Sequence, residues 1–338
     1  MRLRPIVLLL AAMLCAPALH AQEPEALSLT GDYLGTHDPS IIKAGDTWYV
    51  FATGKAHEGG QFQIRCSTDL HAWKLCGQVF DAIPDWIKTE SPRTFDLWAP
   101  DISYENGEYR LYYCYSLFGK NTSGIALLTN KTLDPQSPDY HWVDRGLVLK
   151  SVATDDFNAI DPNYVAAGKQ AWLVFGSYWT GIKMRRLDAR TGMLSKKDTK
   201  IYSMATRKKP DGPNPPRGWE AVEAPFIVHH GGYYYLFVSW DFCCRGAKSN
   251  YRTMVGRSKH VQGPYVDHDG VPMMQGGGTQ LLVGNERWVG PGGESVLLEP
   301  GGHDVLAFHA YDAQTGMRAL QISTLTWTDD WPHAALGH

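Results

Sequence analysis

The chain has 338 residues, with 32 Lys and Arg against 35 Asp and Glu for a formal charge of −3. Apolar residues at 43 % and charged residues at 20 % exclude wholesale disorder, and the near-neutral balance leaves no field to hold nucleic acid or an anionic membrane. The 34 glycines and 20 prolines exceed a usual share of about 12 %, so turns are many and strands short, while 12 Trp and 17 Tyr suit half-buried strands and stacking on sugar rings.

In chain order, residues 1–21 read first as a secretory signal. Arg2 and Arg4 make a basic start, Ile6–Ala16 is apolar but too short to span a bilayer, and Leu19-His20-Ala21 ends on a small residue. Leu14 ahead of Cys15 is too bulky for lipoprotein processing. The expected product is a secreted chain, periplasmic or extracellular, running from Gln22 to His338 with no membrane association after cleavage. Export places Cys66, Cys76, Cys114, Cys243 and Cys244 in an oxidising setting. Cys66 and Cys76 flank a hairpin across which they can pair, the odd count leaves a thiol free or paired between chains, and the scattered spacing argues against a zinc site.

Five segments then repeat a short strand, a turn and an aromatic-rich strand. They begin at Asp38-Pro39-Ser40, Ala99-Pro100-Asp101, Asp161-Pro162-Asn163, Ala224-Pro225-Phe226 and Glu294-Ser295-Val296. The four prolines are 61, 62 and 63 residues apart, and the fifth copy lacks one. A second hairpin sits in each period, most legibly over Arg65–Trp73. About four strands per repeat, five times over, predicts an all-β fold, a five-bladed β-propeller filling residues 22–338 as one domain. The proline-rich stretch Lys208–Gly218 reads as a surface loop over the face where the fourth repeat begins.

In a propeller the first strand of each blade lines the axis, so Asp38, Asp161 and Glu223 converge on one face, with Asp101 nearby. Close, partly buried carboxyls push one another's pKa values apart, which is what a general acid and a general base for glycoside hydrolysis require. Glu220 competes with Glu223 for the acid role but falls in the incoming loop. His37 is placed to touch a sugar or to tune Asp38. His309 ends an inner hairpin, and Trp98 stands where it can stack on a sugar ring or pack.

His37-Asp38-Pro39-Ser40, Leu97-Trp98-Ala99-Pro100-Asp101, Ile160-Asp161-Pro162 and Val222-Glu223-Ala224-Pro225 resemble the markers of the family 43 glycoside hydrolases. The stretches Phe175–Lys183 and Phe237–Gly246, the second with its vicinal cysteines, are similar to those of the endo-1,5-α-L-arabinanases within that family. The resemblance implies cleavage of internal bonds in arabinan, or a related plant cell-wall polysaccharide, with inversion. It implies Asp38 as base, Glu223 as acid and Asp161 as the acid's tuner, with Asp38 and Glu223 about 6.5–9.5 Å apart. His37, Trp98, Phe118 and Ser177 are groove contacts by the same resemblance.

The chemistry needs no cofactor. The family's axial metal, often calcium, is held through a Gly-Pro-Gly-His stretch that here reads Gly290-Pro291-Gly292-Gly293, so its ligands stay unassigned and His309 is the alternative. The same motifs leave open an exo-acting arabinofuranosidase, a β-xylosidase, or a sugar-binding propeller without catalysis. Loss of one of the three acids would mark the last, and all three are present.

Overall fold

The computed structural model describes residues 23–58 and 60–338, so the signal segment and Gln22 lie outside the described residues. Five antiparallel sheets stand around one axis. Blade one is His37–Ala44, Thr47–Thr53, Gln61–Ser67 and Ala72–Phe80. Blade two is Leu97–Glu105, Glu108–Tyr115, Ser123–Asn130 and Val143–Ser151. Blade three is Asn163–Ala167, Gln170–Phe175, Ile182–Leu187 and Ile201–Ala205. Blade four is Val222–His230, Tyr233–Trp240, Arg252–Ser258 and Thr279–Leu282.

Blade five departs from the repeat. It has three strands of its own, Trp288–Leu297, Val305–Asp312 and Arg318–Thr324, and the segment ahead of blade one supplies its outer edge. Leu27 N–H donates to the Ile322 carbonyl and Thr324 N–H to that of Glu25, while Gly35 N–H reaches Arg318 and Leu320 N–H reaches Tyr33, each at 2.8 Å. Between these contacts Thr30 and Gly31 pair in parallel with the outer strand of blade one. The chain's beginning therefore closes the ring by binding its last blade.

Each blade-to-blade interface has its own apolar core. Phe51, Phe62 and Tyr113 fill the first, Leu127, Leu173 and Phe175 the second, Trp172, Val222 and Leu236 the third, and Phe237, Leu306 and Phe308 the fourth. At the closing interface Ile41, Trp73 and Ile322 are joined by Leu27, Leu29 and Tyr33 of the N-terminal segment.

The axis is built by one backbone device used five times. Asp38, Ala99, Asp161, Ala224 and Gly293 all take a left-handed conformation, with φ of 46°, 48°, 54°, 51° and 60°. Such values are uncommon for residues with a Cβ. The first four precede proline, which disfavours the right-handed helical region there. In four of the five blades the register with the second strand also shifts here, as at a β-bulge.

Two rings of hydrogen bonds make the kink affordable. Just past it, Ser40, Asp101, Asn163 and Ser295 each accept a backbone N–H from the next blade, donated by Ile102, Tyr164, Ile227 and Ile41 at 2.7–3.1 Å. At the kink itself, Ala99 N–H donates to Thr53, Ala224 N–H to Asp161, Gly293 N–H to Ser239 and Asp38 N–H to His309. Asp101, grouped by sequence with the acidic cluster, is thus a buried strut between blades two and three. Burial pushes its carboxyl up to about 7 against the hydrogen bonds from Tyr164 and Asn163.

Candidate active site

Because first strands begin and second strands end at the same rim, the connections after the second strands all open on the face that carries Asp38, Asp161 and Glu223. The three acids are not strictly equivalent, which corrects the reading of the repeats. Asp38 and Asp161 occupy the left-handed position, whereas Glu223 stands one residue earlier, in register with His37 and Trp98. Glu223 pairs across to Ser239 as His37 pairs to Thr53 and Trp98 to Cys114. Glu220 stays in the turn ahead of the strand.

Asp38 is held as a carboxylate. Its Oδ1 lies 2.9 Å from His37 Nδ1, and its Oδ2 accepts a 2.8 Å hydrogen bond from the Thr53 hydroxyl. Burial alone would raise its pKa, but the charge and hydrogen bond of His37, with His309 and Thr53, outweigh this and hold it well below the usual carboxylate range. Burial works against the His37 cation too, yet Asp38 pushes that imidazole up to about 10. His309 behaves oppositely. Burial first, and then the neighbouring His37 charge, hold it well below the ordinary value, so a neutral ring accepts the Asp38 N–H through Nδ1 and stacks on His37 at 3.8 Å.

Glu223 is buried, and its surroundings push it toward the protonated form. Ser177 Oγ lies 2.6 Å from Oε2, the Tyr251 hydroxyl meets Oε1, and the Cys243 thiol stands 3.8 Å from Oε1. Burial raises its pKa, the two hydroxyl bonds pull it back, and Cys244 and Asp38 raise it further. Asp161 is pushed well above its ordinary value by burial and then by Glu223 and Asp38. Its Oδ2 accepts the N–H of Ala224 at 3.1 Å, so it fixes the backbone that carries Glu223.

The remaining sequence candidates divide. His37 is buried, with one ring nitrogen on Asp38 and the other 2.9 Å from the Tyr311 hydroxyl, so it supports the base from behind. Ser177 is buried against the acid. Trp98 is half-buried against the core between blades two and three. Phe118 is 83 % exposed on the rim connection of blade two, and Phe95, which sequence reading passed over, is 78 % exposed just ahead of the same blade. Thr53, Tyr251 and Tyr311 were also missed. The loop Lys208–Gly218 does stand on this face, with Gly218 against the Phe242 ring.

Calcium takes six to eight oxygens; beside the axis the buried donors without a partner among the described residues are Glu294 Oε1 and His309 Nε2, so water would have to supply most of its ligands. Asp38, Asp101 and Asp161 line an axial cavity of about 40 Å³ with their carboxyls hydrogen-bonded within the protein. Among the described residues lining it, Glu294 offers a buried Oε1 without a partner, a single free carboxyl oxygen. Gly293, where the resemblance expects histidine, has no room for one. A Cβ there would lie 2.8 Å from the His309 ring and 3.0 Å from Asp38 Oδ1.

This electrostatic arrangement predicts a bell-shaped pH dependence of kcat/KM. Activity is lost at the acid end as Asp38 takes up a proton, well below the ordinary carboxylate range, and at the alkaline end as Glu223 releases one, above it. Tyr251→Phe removes a bond that favours ionised Glu223, so its alkaline limb should move to higher pH; a limb that stays or moves down would contradict the assignment.

The model of the glycosyl hydrolases family 43 matches residues 34–332. An extracellular exo-α-(1→5)-L-arabinofuranosidase of Cellvibrio japonicus is 42 % identical over 329 residues, covering 95 % of this chain and 90 % of the relative. An extracellular endo-α-(1→5)-L-arabinanase of Bacillus subtilis is 40 % identical over 299 residues, covering 88 % and 86 %. The solved structure of a Cellvibrio cellulosa α-L-arabinanase complexed with arabinohexaose is 41 % identical, with a TM-score of 0.81 over 90 % of this chain and 96 % of that one.

Proposed function

This chain belongs to the glycosyl hydrolases of family 43, and from that premise we propose that it is exported and cleaves internal α-1,5-arabinofuranosidic bonds of arabinan with inversion. The observation that carries the reading is the opposite tuning of two carboxyls at one rim, Asp38 held ionised and Glu223 pushed toward its protonated form. Asp38 takes the proton of the attacking water, and Glu223 gives its proton to the leaving sugar oxygen. Asp161 keeps Glu223 in place and favours its neutral form. The chemistry is proton transfer between carboxyls and calls on no cofactor. Phe118 and Trp98 are the groove's sugar-facing aromatics, and Phe95 joins them. Export is supported by the basic and apolar start of the chain and by two relatives named as extracellular.

Endo action is supported by the shape of the rim. The connections over blades three and five are the short turns 176–181 and 313–317, while long segments, 206–221 and 241–251, stand together over blade four. Segments 81–96 and 152–162 rise on the same face, so the low turns over blades three and five are the gaps through which an internal stretch of polymer would pass. The same wall over blade four is what favours the second reading, an exo enzyme whose groove ends there.

A time course of products from linear α-1,5-arabinan separates them. Mixed oligosaccharides at the earliest times are expected. Monomer or dimer alone from the start would overturn endo action, and no product would overturn arabinan as substrate in favour of another glycan or simple binding.

A further inference from the structure

We propose that His37, Cys243 and Cys244 form a binding site for a thiophilic cation of the zinc type, set beside the catalytic acid and base. The scattered cysteine spacing concealed it, because the third donor comes from blade one, more than two hundred residues away. In an extended strand adjacent side chains point to opposite faces. Here the chain leaves Trp240 and turns, with Asp241 at φ 70° and Cys244 at φ 62°, and both thiols come to one side. Their sulfurs and a ring nitrogen of His37 lie within 4.8 Å of one another.

The distances suit a tetrahedral ion. Bonds of about 2.3 Å to sulfur and 2.0–2.1 Å to nitrogen set those two ligands about 3.6 Å apart, and Cys244 Sγ lies 3.6 Å from His37 Nε2. Metal-bound histidines usually give their other nitrogen to a carboxylate, which orients the ring. His37 already does so, through Nδ1 on Asp38. The loop is also preorganised. Asn250 N–H donates to the Phe242 carbonyl, Arg245 N–H to Ser249 Oγ and Cys244 N–H to the Tyr311 hydroxyl, each at 3.0 Å. Cys244 is exposed and Cys243 half-buried, so an ion enters from the groove, and a fourth position is left for water. Thiols and imidazole select zinc or cadmium over calcium or magnesium.

On binding, two sulfur–metal bonds and one nitrogen–metal bond form. Each thiol proton, and any proton on His37 Nε2, passes to solvent, while the Tyr311 hydroxyl, now 2.9 Å from Nε2, gives way to the ion. Cys243 Sγ stands 3.8 Å from Glu223 Oε1 and His37 lies 2.9 Å from Asp38 Oδ1, so an ion held here lies beside both acid and base and obstructs the groove at the reacting bond.

The test is cadmium titration of the full protein with its free thiols reduced and the Cys66–Cys76 bond intact, read by thiolate-to-metal charge-transfer absorption in the absence of substrate. One equivalent is expected to saturate the band. Cys244→Ser should weaken binding by more than the ~10–100-fold that loss of an outer-shell partner costs, and Cys114→Ala should leave it unchanged. Zinc should inhibit hydrolysis in the same stoichiometry, with recovery on adding a chelator. No band, a band that survives both Cys244→Ser and Cys243→Ser, or two thiols found joined to each other and inert to cadmium would overturn the site. The absorption reads without any glycan, so a wrong substrate assignment leaves this result standing.

Discussion

Asp38→Ala and Glu223→Ala should each lower kcat on arabinan by about 10²–10⁴-fold, the usual worth of a positioned general acid or base. Both variants should fold. Asp38 is partly exposed, and its backbone N–H, which binds His309, is untouched by the change. Glu223→Ala leaves the hydroxyls of Ser177 and Tyr251 without their acceptor, at a cost of about 1–3 kcal/mol each, so its thermal midpoint should fall while the ring stays closed. KM should change little beside kcat, because the lost interactions develop in the transition state. A Glu223 variant with native circular dichroism and more than a tenth of the wild-type rate would remove Glu223 from the acid role.

The second large effect is on the fold. A chain beginning at Thr36 should fail to form a stable propeller. It lacks the four 2.8 Å backbone bonds that seal blade five, worth about 1 kcal/mol each. It also lacks Leu27, Leu29 and Tyr33 at the closing interface, whose burial contributes about 1.5–3 kcal/mol apiece. Arg65 would lose its acceptors too, the carbonyls of Asp32 and Leu34. Together these losses match the ~5–15 kcal/mol by which a folded protein is stable. The expected result is loss of the cooperative thermal transition and of activity. A truncated chain that melts cooperatively within a few degrees of the longer one would show that blade five closes on its own three strands.

The blades were legible because their signals are local. A proline after a kink residue, a turn, and an aromatic strand recur within each period, and the acids at Asp38 and Asp161 fall on the kink itself. The closure was not legible, since Glu25 and Thr324 are 299 residues apart and no motif marks the N-terminal segment as a strand. The acids' supports were hidden for another reason. Thr53, Cys114, Ser239 and His309 occupy one register at the end of their second strands, yet they share no chemistry that a repeat search would align. Only the geometry shows that His309 serves the base, that Ser239 serves Gly293 and Glu294, and that Asp101 is a strut. Glu223 was found by its neighbourhood to proline, but its shift of one residue relative to Asp38 needed the paired strands.

The division of labour between Asp38 and Glu223 is tested most directly by changing the leaving group. Rates of Asp38→Ala and Glu223→Ala would be compared on arabinan and on an aryl glycoside of an α-1,5-arabino-oligosaccharide whose phenol departs without protonation. The account predicts that Glu223→Ala regains most of its lost rate on the aryl substrate, because no acid is needed there, while Asp38→Ala stays as impaired as on arabinan. Recovery by Asp38→Ala instead, or an equal deficit of both variants on both substrates, would contradict it.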